Sequence, residues 1–212
     1  MVIFIFTQGI TILAVSSKTN AMNKLFFVDT ETVNTDRSKC GIFQLAAVVI
    51  EESTGFLAVK DKVDFRMCPQ ESEYWDELVL DHIHYSFKDI EKFRPQHLVF
   101  REFVKFLDSH IDRYNKEDKF FFVAYNAAFD YQKIRNWFDA NNDSFFGSYF
   151  WSNPMCLMSL STYALKDQRH LMPNFKLQTV CLSLGIELPK AHDAMSDIIA
   201  LVGLYETLTD SL

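Results

Sequence analysis

Two apolar runs, Leu25-Phe26-Phe27-Val28 and Phe120-Phe121-Phe122-Val123, each lead into carboxylates. The first meets Asp29-Thr30-Glu31 directly, and the second reaches Asp130 through Tyr125-Asn126-Ala127-Ala128-Phe129. A segment apolar at nearly every position is buried on both faces, which predicts strands inside a covered sheet. Carboxylates on the buried faces of such elements are costly unless something positive neutralises them. One feature therefore restricts the fold and the chemistry together.

The rest of the chain supplies the remaining layers. Ile42–Ile50 reads as a second strand and Phe56–Phe65 as a third, with Ser53-Thr54-Gly55 as a hairpin turn between them. After a looser stretch from Cys68 to Pro95, Val99, Phe100, Phe103, Val104 and Leu107 recur at helical spacing. Phe120–Tyr125 is the fourth strand, and a helix from about Phe129 to Ala140 follows, closed by Asn141-Asn142-Asp143-Ser144. Tyr149–Trp151 is expected to be a short edge strand. Helical patterns near Cys156–Leu165 and Lys176–Leu184 come next, the latter ended by Gly185. A last helix begins near Asp193 and lines up Ala194, Ile198, Leu201, Tyr205 and Leu208. The predicted fold is a single α/β domain with a mixed five-stranded sheet flanked by helices, a size that 212 residues can fill.

Residues 22–212 are expected to form this domain, and residues 1–21 an extension, with Met22 a plausible start. Val2–Val15 is apolar but interrupted by Thr7-Gln8-Gly9, and no Lys or Arg precedes it. It is too short to span a bilayer and lacks the basic start of a signal peptide, so a cytoplasmic protein without membrane attachment is expected. Cys40, Cys68, Cys156 and Cys181 are widely spaced with no C-x-x-C pair, which fits reduced thiols better than zinc or disulfides. The 21 phenylalanines read as core, with a few exposed aromatics available to stack on bases. A net charge of −7 argues against general electrostatic binding of nucleic acid. Metals in an acidic site can still attract phosphate locally.

Asp29 and Glu31, two apart on a strand, point to the same face, where each raises the other's cost of ionising. Asp130 shares a helix face with Ile134, Trp137 and Phe138; a helix-capping role is the alternative. Asn126 and Asp130 bracket a strand-to-helix turn at the end of an α/β sheet where ligands usually bind. Asp197 is surrounded at helical spacing by Ala194, Leu201, Leu204 and Tyr205. His192, five residues earlier, cannot share that face if both are helical, so it is expected on the preceding loop. Four acids make an all-oxygen set suited to magnesium or manganese. Two such ions ~4 Å apart can hold the attacking and leaving oxygens of a phosphoryl displacement. Histidine is the fitting base for the attacking water.

These residues resemble the DEDDh 3′–5′ exonucleases, a family with the ribonuclease H-like fold. Phe27-Val28-Asp29-Thr30-Glu31-Thr32 resembles its first motif and Tyr125-Asn126-Ala127-Ala128-Phe129-Asp130 its second. His192-Asp193-Ala194 with Asp197 resembles the third, of the histidine subclass. His84–Ile90 is similar to the loop before the central helix, and Phe175-Lys176-Leu177 to the approach to the third motif. The resemblance covers about Leu25 to Leu208. It implies Asp29 bridging two metal ions, Mg²⁺ or Mn²⁺, with Glu31 and Asp197 on the nucleophile side. Asp130 would support the second ion and His192 act as base. Thr30, Thr32, Asn126, Phe129 and Lys176 would contact substrate.

The implied activity is removal of nucleoside 5′-monophosphates from the 3′ end of single-stranded nucleic acid, with DNA slightly ahead of RNA. A ribonuclease of the ribonuclease T type is one alternative, and a non-catalytic nucleic-acid or protein binding module on the same fold another. A polymerase partner or a homodimer is open by analogy with relatives. Lys166, Arg169, His170 and Lys176 read equally as a phosphate track or a solvated basic face.

Overall fold

The computed structural model describes residues 2–7, 10–15, 22–53, 56–70, 75–77, 79, 85–187 and 194–209. In chain order the strands are β1 (Val2–Thr7), β2 (Ile10–Val15), β3 (Asn23–Thr32), β4 (Ile42–Ser53), β5 (Phe56–Arg66), β6 (Phe120–Ala124) and β7 (Met155–Cys156). The helices are α1 (Phe87–Ile90), α2 (Gln96–Asp108), α3 (Ala127–Ala140), α4 (Phe146–Tyr149), α5 (Leu157–Ala164), α6 (Leu177–Ser183) and α7 (Ala194–Thr209), with a 3₁₀ segment at Lys166–Leu171. β1 and β2 pair antiparallel as a separate two-stranded sheet.

The main sheet has the order β5-β4-β3-β6-β7. The β3–β4 and β4–β5 pairs are antiparallel, whereas β3–β6 and β6–β7 are parallel. This is the expected mixed five-stranded α/β sheet. Alternation along β3 explains its unbroken apolarity. Phe26 and Val28 face a core built with Phe103 of α2 and Ile134 and Trp137 of α3. Leu25 and Phe27 face a second core with Leu157 of α5, Val180 of α6 and Ile198 and Leu201 of α7. A strand buried on both faces cannot alternate apolar with polar.

Aromatic rings fill the first core: Trp137 stacks on Phe103 at 5.2 Å and 23°, and Phe26 meets Phe150 edge-on at 5.3 Å. The same packing corrects the expected edge strand at Tyr149–Trp151. Phe146–Tyr149 winds into a helical turn that buries Phe146 and Tyr149 in this cluster, leaving Phe150 a single bridge to Phe120. Pairing resumes only where Met155 and Cys156 lie beside Val123 and Ala124. Gly185 (φ +71°) ends α6 in the left-handed conformation that glycine adopts without strain, and the Ile186 N–H closes the turn on the Cys181 carbonyl at 2.9 Å. Cys40 and Cys181 are buried, and Cys68 and Cys156 are half-buried. No helix among the described residues is long and apolar enough to cross a membrane.

Candidate active site

β3 carries chemistry on both of its faces. The alternation that sends Leu25 and Phe27 toward α7 continues into Asp29 and Glu31, while Thr30 follows Phe26 and Val28 toward α3. α7 brings the partner acid: Ala194, Ile198 and Leu201 are fully buried around Asp197, which is itself 9% exposed. One carboxylate oxygen from each of Asp29, Glu31 and Asp197 lies within 4.8 Å of the others. At that separation each ionised pair repels by about 3 kcal/mol at an effective dielectric of 20. A divalent cation would turn this repulsion into attraction. The donor set is all oxygen, which fits magnesium or manganese.

Asp130 lies on the other face. Asn126 takes the cap position of α3, so Asp130 sits one turn inside the helix rather than capping it. Its Oδ1 accepts two hydrogen bonds from Thr30, one from the backbone N–H at 3.1 Å and one from the hydroxyl at 2.7 Å. The close trio of oxygens does not include it. Burial pushes the Asp130 carboxyl up to about 6, against the pull of the Thr30 hydrogen bonds and of Lys133.

That displacement sets a stability signature. An acid held protonated to higher pH in the folded state than in the unfolded chain costs stability as pH rises from about 4 to about 6, and the loss persists above. Asp130→Asn keeps the acceptor for Thr30 without the charge. In EDTA the variant is expected to gain thermal stability over wild type as pH rises through that window, by at most about 3 kcal/mol at pH 8. Melting curves at pH 4 and pH 8 check this; a difference independent of pH would refute it.

Lys133, one turn beyond Asp130, escaped the reading of the sequence. It is fully buried, and its Nζ donates to the Asn34 carbonyl (3.0 Å), Asn34 Oδ1 (2.9 Å) and the Asp36 carbonyl (2.7 Å). Asn136 donates to the Arg37 and Lys39 carbonyls. Together they strap the loop that leaves β3 onto α3. Gly41 (φ +58°) closes the loop by accepting from the Val33 N–H at 2.8 Å, and a Cβ there would fall 2.6 Å from Asn34 Nδ2. The available signal was a lysine on the apolar stripe of Ile134 and Trp137.

The residues expected to touch substrate divide in two. Thr30 and Thr32 are buried, with their hydroxyls donating to Asp130 and to the Asn34 carbonyl. Asn126 and Lys176 are exposed and Phe129 is half-buried. His192, Asp193, and the His82 and His84 of the earlier loop lie outside the described residues. A cavity of about 510 Å³ lined by Asp108, His110, Arg113 and Tyr114 opens at the opposite end of the strands, where Lys24 donates to the His110 carbonyl. The acids sit instead at the open C-terminal end of β3, where the sheets of α/β folds take ligands.

A family model described as exonuclease (RNase T) matches residues 26–205. No curated protein matches the chain by sequence. Among solved structures, E. coli exonuclease I in complex with a dT13 oligonucleotide superposes with a TM-score of 0.70 at 18% identity, over 88% of this chain and 41% of that one. An exonuclease I complex with SSB-Ct gives 0.69 at 17% identity, over 90% and 42%. Cell-death related nuclease 4 (CRN-4) gives 0.66 at 15%, over 89% and 64%. At such identities the likeness shows the fold. The chain spans about two fifths of the length of exonuclease I.

Proposed function

The chain belongs to the DEDDh 3′–5′ exonucleases of ribonuclease H-like fold, and from that premise we propose that it shortens single-stranded nucleic acid from the 3′ end, releasing nucleoside 5′-monophosphates, with DNA favoured over RNA. The observation that carries this reading is the convergence of Asp29, Glu31 and Asp197 within 4.8 Å at the end of a central strand. The dT13 bound by exonuclease I supports the choice of single-stranded DNA.

Two divalent ions, Mg²⁺ or Mn²⁺, would neutralise the scissile phosphate and acidify a water when bound. Asp29, Glu31 and Asp197 are assigned to hold the first, and Asp130 to support the second. Both Thr30 donors converge on Oδ1 of Asp130, so they leave its other oxygen to that task. His192, two residues before α7, is assigned to take the proton from the attacking water. The water oxygen attacks phosphorus, the bond to the 3′-oxygen breaks, and that oxygen is protonated from solvent. Asn126 and Phe129, exposed and half-buried at the start of α3, are assigned to orient the terminal nucleotide. The catalytic domain is assigned to residues 22–212.

Incubation of 5′-labelled single-stranded DNA and RNA with magnesium or manganese tests this. A one-nucleotide ladder that shrinks from the 3′ end, faster on DNA and absent in EDTA, is expected. Internal cuts, or no shortening of either strand, would overturn the proposal and leave a binding module.

A further inference from the structure

Between Ser144 and Ile186 the chain reverses its overall sign. Lys166, Arg169 and Lys176 stand there against one acid, Asp167, in a protein of net charge −7. All three cations are exposed, and Asp167 reaches Lys166 only at 3.8 Å from a side chain 91% exposed. Two of the cations lie over aromatic rings. Lys166 Nζ is 5.0 Å from the Tyr163 centroid, and the Arg169 guanidinium is 5.1 Å from Phe175. Arg169 is also fixed by its hydrogen bond to the Met172 carbonyl at 2.9 Å. Tyr163 is 65% exposed, so core packing does not account for this ring.

The ridge is tied to the acids at two points. The Tyr125 hydroxyl, one residue before Asn126, donates to the Phe175 carbonyl at 2.6 Å. Lys176 is the cap residue of α6, whose Val180 shares one buried core with Ile198 and Leu201 of α7, the helix that carries Asp197.

We propose that the ridge from Tyr163 to Lys176 is the track that holds the single strand behind the nucleotide being removed. Lys166, Arg169 and Lys176 take backbone phosphates, and Tyr163 stacks on a base. The inference rests on the exonuclease reading of the neighbouring acids. In a protein of net charge −7 a local excess of cations gives a polyanion a favoured place to lie. Cations interleaved with open rings are the sequence-tolerant way to bind a single strand, since every base offers a π-face.

The test is fluorescence anisotropy of 5′-labelled dT12 in EDTA, over a range of salt concentrations, with the full chain. Lys166→Ala/Arg169→Ala is expected to weaken binding about tenfold or more and to flatten the plot of log affinity against log salt by about 1.4, at roughly 0.7 for each phosphate that the protein no longer neutralises. Tyr163→Ala is expected to shift the line down without changing its slope, because stacking releases no counterions. Unchanged affinity and slope in the double variant, or no binding by wild type, overturns the track. Cleavage by wild type with an unaltered double variant would sink the track alone. Strand binding with the predicted slopes but no cleavage would sink the exonuclease reading alone.

Discussion

Asp29→Ala and Asp197→Ala are each expected to reduce 3′-end cleavage by about 10³-fold or more while leaving the fold intact. The two acids come from different elements, β3 and α7, yet present oxygens within 4.8 Å of each other and of Glu31. Removing either leaves two carboxylates where three would bind a cation. A bound metal contributes several kcal/mol of transition-state stabilisation, and about 4 kcal/mol corresponds to roughly 10³ in rate. Glu31→Gln is expected to fall between wild type and these variants, because it keeps a neutral oxygen donor. Isothermal titration with Mn²⁺ beside single-turnover rates is the check. Full activity of Asp29→Ala at saturating manganese would remove it from the site.

His192→Ala is expected to lower kcat by roughly 10²–10⁴-fold, the usual contribution of a general base. Binding of dT12 should stay within about twofold, since the imidazole is assigned to the water and not to the strand. Partial recovery by added imidazole would separate lost proton transfer from lost structure. A change confined to KM would instead make His192 a substrate contact.

Much of this arrangement is legible in the sequence because its period is local. Asp29 and Glu31 share a face by strand alternation, and Asp197 reads as inward from Ala194, Leu201, Leu204 and Tyr205 on the same helix. The unbroken apolarity of Phe26–Val28 likewise announces a strand covered on both sides. What the sequence does not disclose depends on elements meeting. Thr30 reads as a substrate contact, and only the packing of α3 against β3 gives its hydroxyl to Asp130. Lys133 finds its acceptors almost a hundred residues away in the loop after β3, so no spacing rule could find them. The misplaced edge strand has the opposite cause. Tyr149-Phe150-Trp151 has strong intrinsic strand preference, but the aromatic core gains more from a helical turn that buries Phe146 and Tyr149.

The two-sided use of β3 also governs when in its life the molecule can act. Asp130 arrives with α3 on one side of the strand, and Asp197 with α7 on the other. Asp29 and Asp197 are 168 positions apart, and α7 is the last described element to be synthesised. At ~5–20 residues per second the ribosome separates them by on the order of ten seconds or more. Throughout that interval the nascent chain has no third carboxylate with which to complete the trio. Any enzyme that cuts nucleic acid is a hazard to the messenger being read, and here the order of assembly postpones the hazard until α7 has been made.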